Sequence, residues 1–173
     1  EMILQGDSPA PERIAFGLAP HAPYSVSPEL FKALRELADV YGIPFSCHVA
    51  ELEEESGFLL DGGGDLRRML DERGAYDADW GPPQKSPLQY LEDLDVLDSL
   101  IAVHLNHLGK DKNLLVSNFM SGVFCPRSTR WFGREHYMNV RELLHGSSAI
   151  GIGTDSLASN DNLNYLDELR VAE

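Results

Sequence analysis

The chain has 173 residues, 43% of them apolar, which is enough for one ordinary domain with a real core and argues against wholesale disorder. Acidic residues number 28 against 14 basic ones, and a net charge of −14 repels phosphate backbones, so no nucleic-acid partner is expected. No stretch approaches the roughly 20 apolar residues of a membrane span, and Glu1 to Asp7 lack the basic start and apolar core of a secretory signal, so no membrane partner is expected either.

Residues 1–13 read as a loop, and residues 14–18 as a short strand. That strand leads into Pro20-His21-Ala22-Pro23-Tyr24-Ser25, where two prolines forbid a regular helix. Ser27, Pro28 and Glu29 form a strong helix start, followed by Leu30, Phe31, Leu34, Leu37, Ala38 and Tyr41 at helical spacing. Gly42 stops that helix. Residues 43–47 read as a buried strand that delivers His48 and, three residues on, Glu51.

Residues 51–98 resemble an insertion. Gly62-Gly63-Gly64 reads as a flexible linker, since no GKS or GKT follows it. Residues 66–73 read as a helix closed by Gly74, Trp80-Gly81-Pro82-Pro83 as a turn, and Ser86-Pro87 as the start of a helix through Leu94. Residues 99–103 form a strand ending at His104, and 110–118 are weakly helical. Residues 122–125 form a strand stopped by Pro126, and 138–145 a helix capped by Gly146. Residues 149–154 form a strand ending at Asp155, and a last helix carries Leu163, Leu166, Leu169 and Arg170 behind an Asp161 or Asn162 cap. Cys47 and Cys125 sit in apolar strands without CxxC spacing, so they read as small core hydrophobes in a reducing cytoplasm.

Strands that alternate with helices and are apolar on both faces predict an α/β fold with a parallel sheet buried on both sides. Consecutive strand ends carrying His48, His104 and Asp155 place ligand-type and proton-moving groups where an α/β barrel keeps its chemistry. Each has a plainer reading. A strand-end histidine can be structural, Asp155 can cap a turn, and the acidic run from Glu51 to Glu55 can be a solvated helix start. His136 and His145 read as surface residues, and Trp131-Phe132 as barrel-helix packing ahead of a ligand platform, though the loop there could reach a bound ring.

Five segments in order resemble the metal-dependent amidohydrolase superfamily. They are Pro20-His21-Ala22-Pro23-Tyr24-Ser25-Val26, His48-Val49-Ala50-Glu51, Val103-His104-Leu105-Asn106, Cys125-Pro126-Arg127-Ser128, and Gly153-Thr154-Asp155-Ser156-Leu157-Ala158-Ser159-Asn160. The branch it resembles deaminates or dechlorinates purine-like and triazine-like rings, with aminofutalosine and adenosylhomocysteine/methylthioadenosine deaminases as the nearest types. The resemblance implies a partial (β/α)8 TIM-type barrel, strands four to eight with their helices, spanning residues 1–173. It implies a hydrolase of C–N bonds other than peptide bonds, acting on a small molecule through water activated by one divalent metal, Zn2+ or else Fe2+ or Mn2+. It gives His48 and Asp155 as metal ligands, Glu51 as proton shuttle, and His104 as the group that orients water or stabilises developing charge. His21 and Ser159 then contact substrate, and Arg127 either anchors an anionic group or braces the barrel.

The family's His-x-His pair, which supplies two further ligands, is absent from this sequence. A piece of a longer protein is therefore expected, inactive alone and needing its other half or self-association to cover open barrel edges. The competing expectation is a non-catalytic remnant or assembly module.

Overall fold

The structure, a computed structural model, describes residues 15–145 and 149–172. The expected loop over 1–13, Ile14 of the first expected strand and the Gly146 cap lie outside the described residues. Helix α1 (Pro28–Tyr41) begins and ends on its sequence signals. Ser27 Oγ accepts the Leu30 N–H at 3.2 Å, and Gly42 closes the helix in the left-handed conformation at φ 59°. There follow β1 (Ser46–Val49), α2 (Glu53–Asp61), α3 (Gly64–Glu72), α4 (Pro87–Asp93), β2 (Ile101–His104), α5 (Lys112–Ser117) and β3 (Ser121–Phe124). The chain finishes with α6 (Pro126–Trp131), α7 (Val140–His145), β4 (Ala149–Ile152) and α8 (Tyr165–Ala172).

The sheet runs β1-β2-β3-β4, every pair parallel, with Val49 opposite His104 and Phe124 opposite Ile152. Sequential order with helices between strands winds in one direction, as a barrel does. A doubly wound sheet would reverse at a switch point. The expected first strand is reduced to one parallel bridge, Leu18 to Phe45, held by Leu18 N–H to Pro44 O and Ser46 N–H to Leu18 O, each 2.9 Å. Pro20, two residues on, has no N–H to extend it.

Cys47, Val49, Ala102 and Phe124 face the helices and join the core with Phe31, Leu59, Leu91 and Leu100. The alternate residues Ser46, His48, Ile101 and Val103 are only half-buried. The sheet is therefore covered on one face over β1–β3, not on both faces as expected, and β4 has no fully buried residue. Close approach matters at Gly153: a Cβ there would lie 2.8 Å from Val123 Cγ1 and 3.2 Å from Cys125 Sγ. Its bare backbone lets the chain entering Asp155 lie against β3.

Several boundaries differ from expectation. The triple glycine is a tight joint: Gly62 closes α2 in a left-handed conformation and Gly64 opens α3. The acidic run starts a real helix, because Glu53, Glu54 and Glu55 sit where the helix dipole favours negative charge. Pro126 stops β3 but also occupies the first turn of α6, a helix the sequence reading left out. The turn before Pro82 spans 77–80, closed by Trp80 N–H to Asp77 O at 3.2 Å. Helix α8 starts at Tyr165 behind Asn164, whose Oδ1 accepts the Leu166 N–H at 3.2 Å, so neither Asp161 nor Asn162 is the cap.

Candidate active site

His48, His104 and Asp155 converge, each offering a ligand atom within 4.8 Å of the others. His48 lies within β1, His104 is the last residue of β2, and Asp155 lies three residues beyond β4. Strict pleat alternation would send His104 to the face of its register partner Val49, away from His48. His104 instead takes φ 78°, and Leu105 after it φ 52°. The strand breaks there, and the two imidazoles stack with centroids 5.2 Å apart. Ala50 (φ 52°) and Asp155 (φ 57°) are left-handed as well. Non-glycine residues in that region cost on the order of 1 kcal/mol or more each, and such strain collects at functional sites.

Hydrogen bonds orient the ligand-type atoms. The His21 carbonyl, which can only accept, lies 3.1 Å from His48 Nδ1. Nδ1 therefore carries a proton, and Nε2 faces Asp155 Oδ1, 3.6 Å away: protonated it pairs with that carboxylate, and deprotonated it has a lone pair for a metal ion. Asp155 Oδ2 accepts from Ser128 Oγ (2.6 Å) and Ser159 Oγ (2.7 Å), which leaves Oδ1 free. Burial alone would raise the Asp155 carboxyl, but the His48 ring and the two hydroxyls outweigh it and hold the group well below the usual carboxylate range.

His104 is 1% exposed, and neither ring nitrogen has a hydrogen-bond partner among the described residues. Burial lowers it to about 4, so it is neutral at pH 7. Its Nε2 lies 3.7 Å from Glu51 Oε2 and 4.0 Å from Asp155 Oδ2. Burial, then the Asp155 charge, raises Glu51. The Asp155 carboxylate beside His48 raises that imidazole against the opposing effect of burial. Two imidazole nitrogens, one of them the buried and unpaired ring of His104, and one carboxylate fit a divalent cation of the zinc type.

These groups line or underlie a cavity of about 410 Å³ walled by His21, Tyr24, His48, Glu51, Phe132 and Asp155, with Ser159 at its edge. Every residue expected in the site is thus brought together. The Ser25 hydroxyl donates to Ala22 O (3.3 Å), so it accepts from His21 Nδ1 (2.6 Å) and leaves His21 Nε2 available.

Other expectations change. Trp131 and Phe132 are half exposed and not packed under the barrel; Phe132 stands in the cavity wall. Arg127 braces the fold. Its backbone N–H donates to Glu168 Oε2 (3.1 Å) and its guanidinium donates to Asn162 Oδ1 (3.2 Å). Glu168, fully buried, also accepts from Asn160 Nδ2 (2.8 Å), which donates in turn to Thr154 O (3.0 Å) and so ties α8 to the Asp155 loop. His136 is exposed as expected, its ring 5.3 Å from that of His107.

Four contributors escaped the sequence reading. Glu55, read as part of a solvated run, is fully buried and accepts the N–H groups of Ala50 and Glu51, each at 3.1 Å. Asn106 donates to Glu51 O (3.3 Å) and Thr129 Oγ1 (3.2 Å) and accepts the Met138 N–H (3.1 Å). Arg134 lines the cavity and donates to Glu54 at 3.0 Å. Ser128 stood in a quoted motif but had no role assigned.

A single-direction parallel α/β sheet that gathers two histidines, an aspartate and a glutamate at one end is consistent with part of an α/β barrel. The chain belongs to the amidohydrolase family, whose model matches residues 1–173. It is 34% identical over 161 residues to a 5′-deoxyadenosine deaminase of Methanopyrus kandleri, covering 92% of this chain and 32% of that protein. It is 30% identical over 172 residues to a 5-methylthioadenosine/S-adenosylhomocysteine deaminase of Halothermothrix orenii, covering 98% and 35%. Among solved structures, a zinc-bound adenosine deaminase from Xanthomonas campestris superposes with a TM-score of 0.74 at 28% identity, covering 95% of this chain and 33% of that one. Aminofutalosine deaminase of Helicobacter pylori shares the fold with a TM-score of 0.78 at 23% identity, covering 94% and 41%. The chain spans about a third of the length of the curated relatives it matches.

Proposed function

We propose that this chain is the C-terminal part of the barrel of a metal-dependent deaminase acting on adenosine-like nucleosides. The observation that carries the reading is the convergence of His48, His104, Asp155 and Glu51 on one cavity in an amidohydrolase chain. The deaminase names of its relatives support the reaction, and the one-third coverage supports a part of a larger barrel of which these are strands four to eight. We keep the expectation that this chain alone is inactive, and that it needs its other half or a second copy to cover its open face. The relatives' small-molecule substrates and the two free, buried cysteines fit a cytoplasmic enzyme.

His48 Nε2 and Asp155 Oδ1 would hold one divalent ion, which we take to be zinc because the Xanthomonas relative binds it; iron(II) and manganese(II) suit the same donors. Such an ion supplies an acidified water near neutral pH. His104, neutral and buried, orients that water or steadies the charge that grows as it attacks. Asp155 accepts the proton that the water gives up. Glu51, its carboxyl raised by burial and by the Asp155 charge, delivers a proton to the ring nitrogen. The adjacent carbon then becomes electrophilic and takes the oxygen; the proton held by Asp155 passes to the amino group, which leaves as ammonia, and the new hydroxyl returns a proton to Glu51. His21 Nε2, the Ser159 hydroxyl and the exposed face of Phe132 are placed to hold the nucleoside.

The remnant reading finds no support. A fully buried imidazole with neither nitrogen hydrogen-bonded costs about 1–3 kcal/mol, a cost with no return in a purely structural module. The test is ammonia release from adenosine and 5′-deoxyadenosine by the complete zinc-loaded enzyme. Turnover of either supports the proposal, and inertness towards both overturns it.

A further inference from the structure

A second cavity of about 480 Å³ opens beside the first, and Tyr24 lines both. The mechanism above does not use it. Its volume lies within the range of roughly 300–1,000 Å³ typical of small-molecule sites. Four of its walls are aromatic: Tyr24, Phe58, Tyr76 and Trp80. Trp80 lies flat on Phe58 with centroids 4.8 Å apart, and Tyr76 stands at 89° to Trp80 at 6.4 Å. These rings form a corner. The charged residues lining the cavity are Glu29, Asp77 and Asp79, all acidic and exposed.

We propose that this cavity is a binding pocket for the positively charged, apolar-bodied substituent of the substrate, an organic ammonium or sulfonium group that passes Tyr24 from the reacting ring. The proposal rests on the reading of the first cavity as a nucleoside site. Aromatic faces attract cations through their quadrupoles, and the acids at the rim add a field of the same sign. Arg67 already shows this preference locally: its guanidinium carbon lies 3.4 Å from the Tyr76 ring centroid.

One feature favours an anion, because the N-terminus of α1 also lines the cavity. That end is mostly taken up. Pro28 has no N–H, Ser27 Oγ takes the Leu30 N–H, and Glu29 supplies negative charge in the first turn. A phosphate or carboxylate would therefore meet three carboxylates and no cation from the lining.

The test is titration of the full chain with benzyltrimethylammonium and, separately, with phenylacetate, followed by calorimetry and by tryptophan fluorescence. The ammonium should bind saturably and phenylacetate should not. Trp80→Ala should weaken ammonium binding about tenfold. The double variant Asp77→Asn, Asp79→Asn, whose exposed side chains make misfolding a small concern, should weaken it about threefold and flatten its salt dependence. Absence of saturable ammonium binding, equal binding of phenylacetate, or indifference to the double substitution would overturn the proposal. This binding needs no metal and no turnover, so its outcome is read separately from the deaminase assay. Ammonium binding beside an enzyme inert towards adenosines would keep the pocket and sink the nucleoside reading.

Discussion

The backbone N–H of Glu51 donates to Oε2 of Glu55 at 3.1 Å, while Oε1 of the same buried side chain takes the N–H of left-handed Ala50. A carboxyl group four residues further along the chain thus fixes the turn that carries the proposed proton shuttle, since both of its oxygens keep lone pairs whether it is ionised or protonated. Glutamine in its place has one acceptor oxygen, and its amide would face the second N–H. Glu55→Gln should cost about 1–3 kcal/mol of stability, measured by urea unfolding. It should lower kcat in the complete enzyme while metal content holds.

The same residue makes a pH signature. Burial pushes Glu55 up to about 8 from an ordinary 4.5, so the folded state holds the extra proton between those values. Its contribution to stability is complete below pH 4.5 and lost as the pH rises through 8. His48, raised above 6.5, adds a loss in the same direction. His104, lowered to about 4, costs stability only below 6.5, where the unfolded imidazole takes up a proton. The urea midpoint of the metal-free chain should therefore fall from pH 6.5 to 8, and Glu55→Gln should flatten that slope. A midpoint that rises over this interval would contradict the buried, raised Glu55.

Ser128 and Ser159 both donate to Asp155 Oδ2 and turn Oδ1 towards His48. Outer hydrogen bonds of this kind typically set metal affinity by about 10–100-fold. Ser128→Ala should weaken zinc binding by about tenfold, read by competition with a chelating dye. Ser159→Ala should do the same, because its hydroxyl donates to the same carboxylate oxygen. Unchanged affinity in both would show that Asp155 needs no such orientation.

Phe132 offers an exposed aromatic face in the cavity wall. Phe132→Ala should raise KM for adenosine-like substrates about threefold to tenfold with kcat nearly kept, as loss of one ring stack implies. A fall in kcat at constant KM would place Phe132 elsewhere in the reaction.

That these residues would come together was legible in the sequence, because they stand at or just past the ends of apolar runs, where a parallel α/β sheet gathers its loops. His48, Glu51, His104 and Asp155 needed only strand positions and the family's order of motifs. Glu55 was not legible. Its neighbours are acidic, and only the third dimension shows that helix α2 turns this one glutamate inward. Phe132 failed for the opposite reason: an aromatic pair favours packing, yet α6 ends at Trp131 and Phe132 past its end lines the cavity. The first strand failed because register and Pro20 leave it a single bridge, which composition does not reveal. The α1 boundaries were read correctly because a serine cap, a first-turn proline and a closing glycine are local signals.

Metal content and ammonia release, measured together on the complete enzyme and its Glu51→Gln variant, bear most directly on the claim that these strand ends form a deaminase centre. The variant should keep its full metal complement and lose turnover by about 100-fold or more, as removal of a general acid implies. Near-normal turnover in Glu51→Gln, or loss of metal along with it, would contradict the assignment.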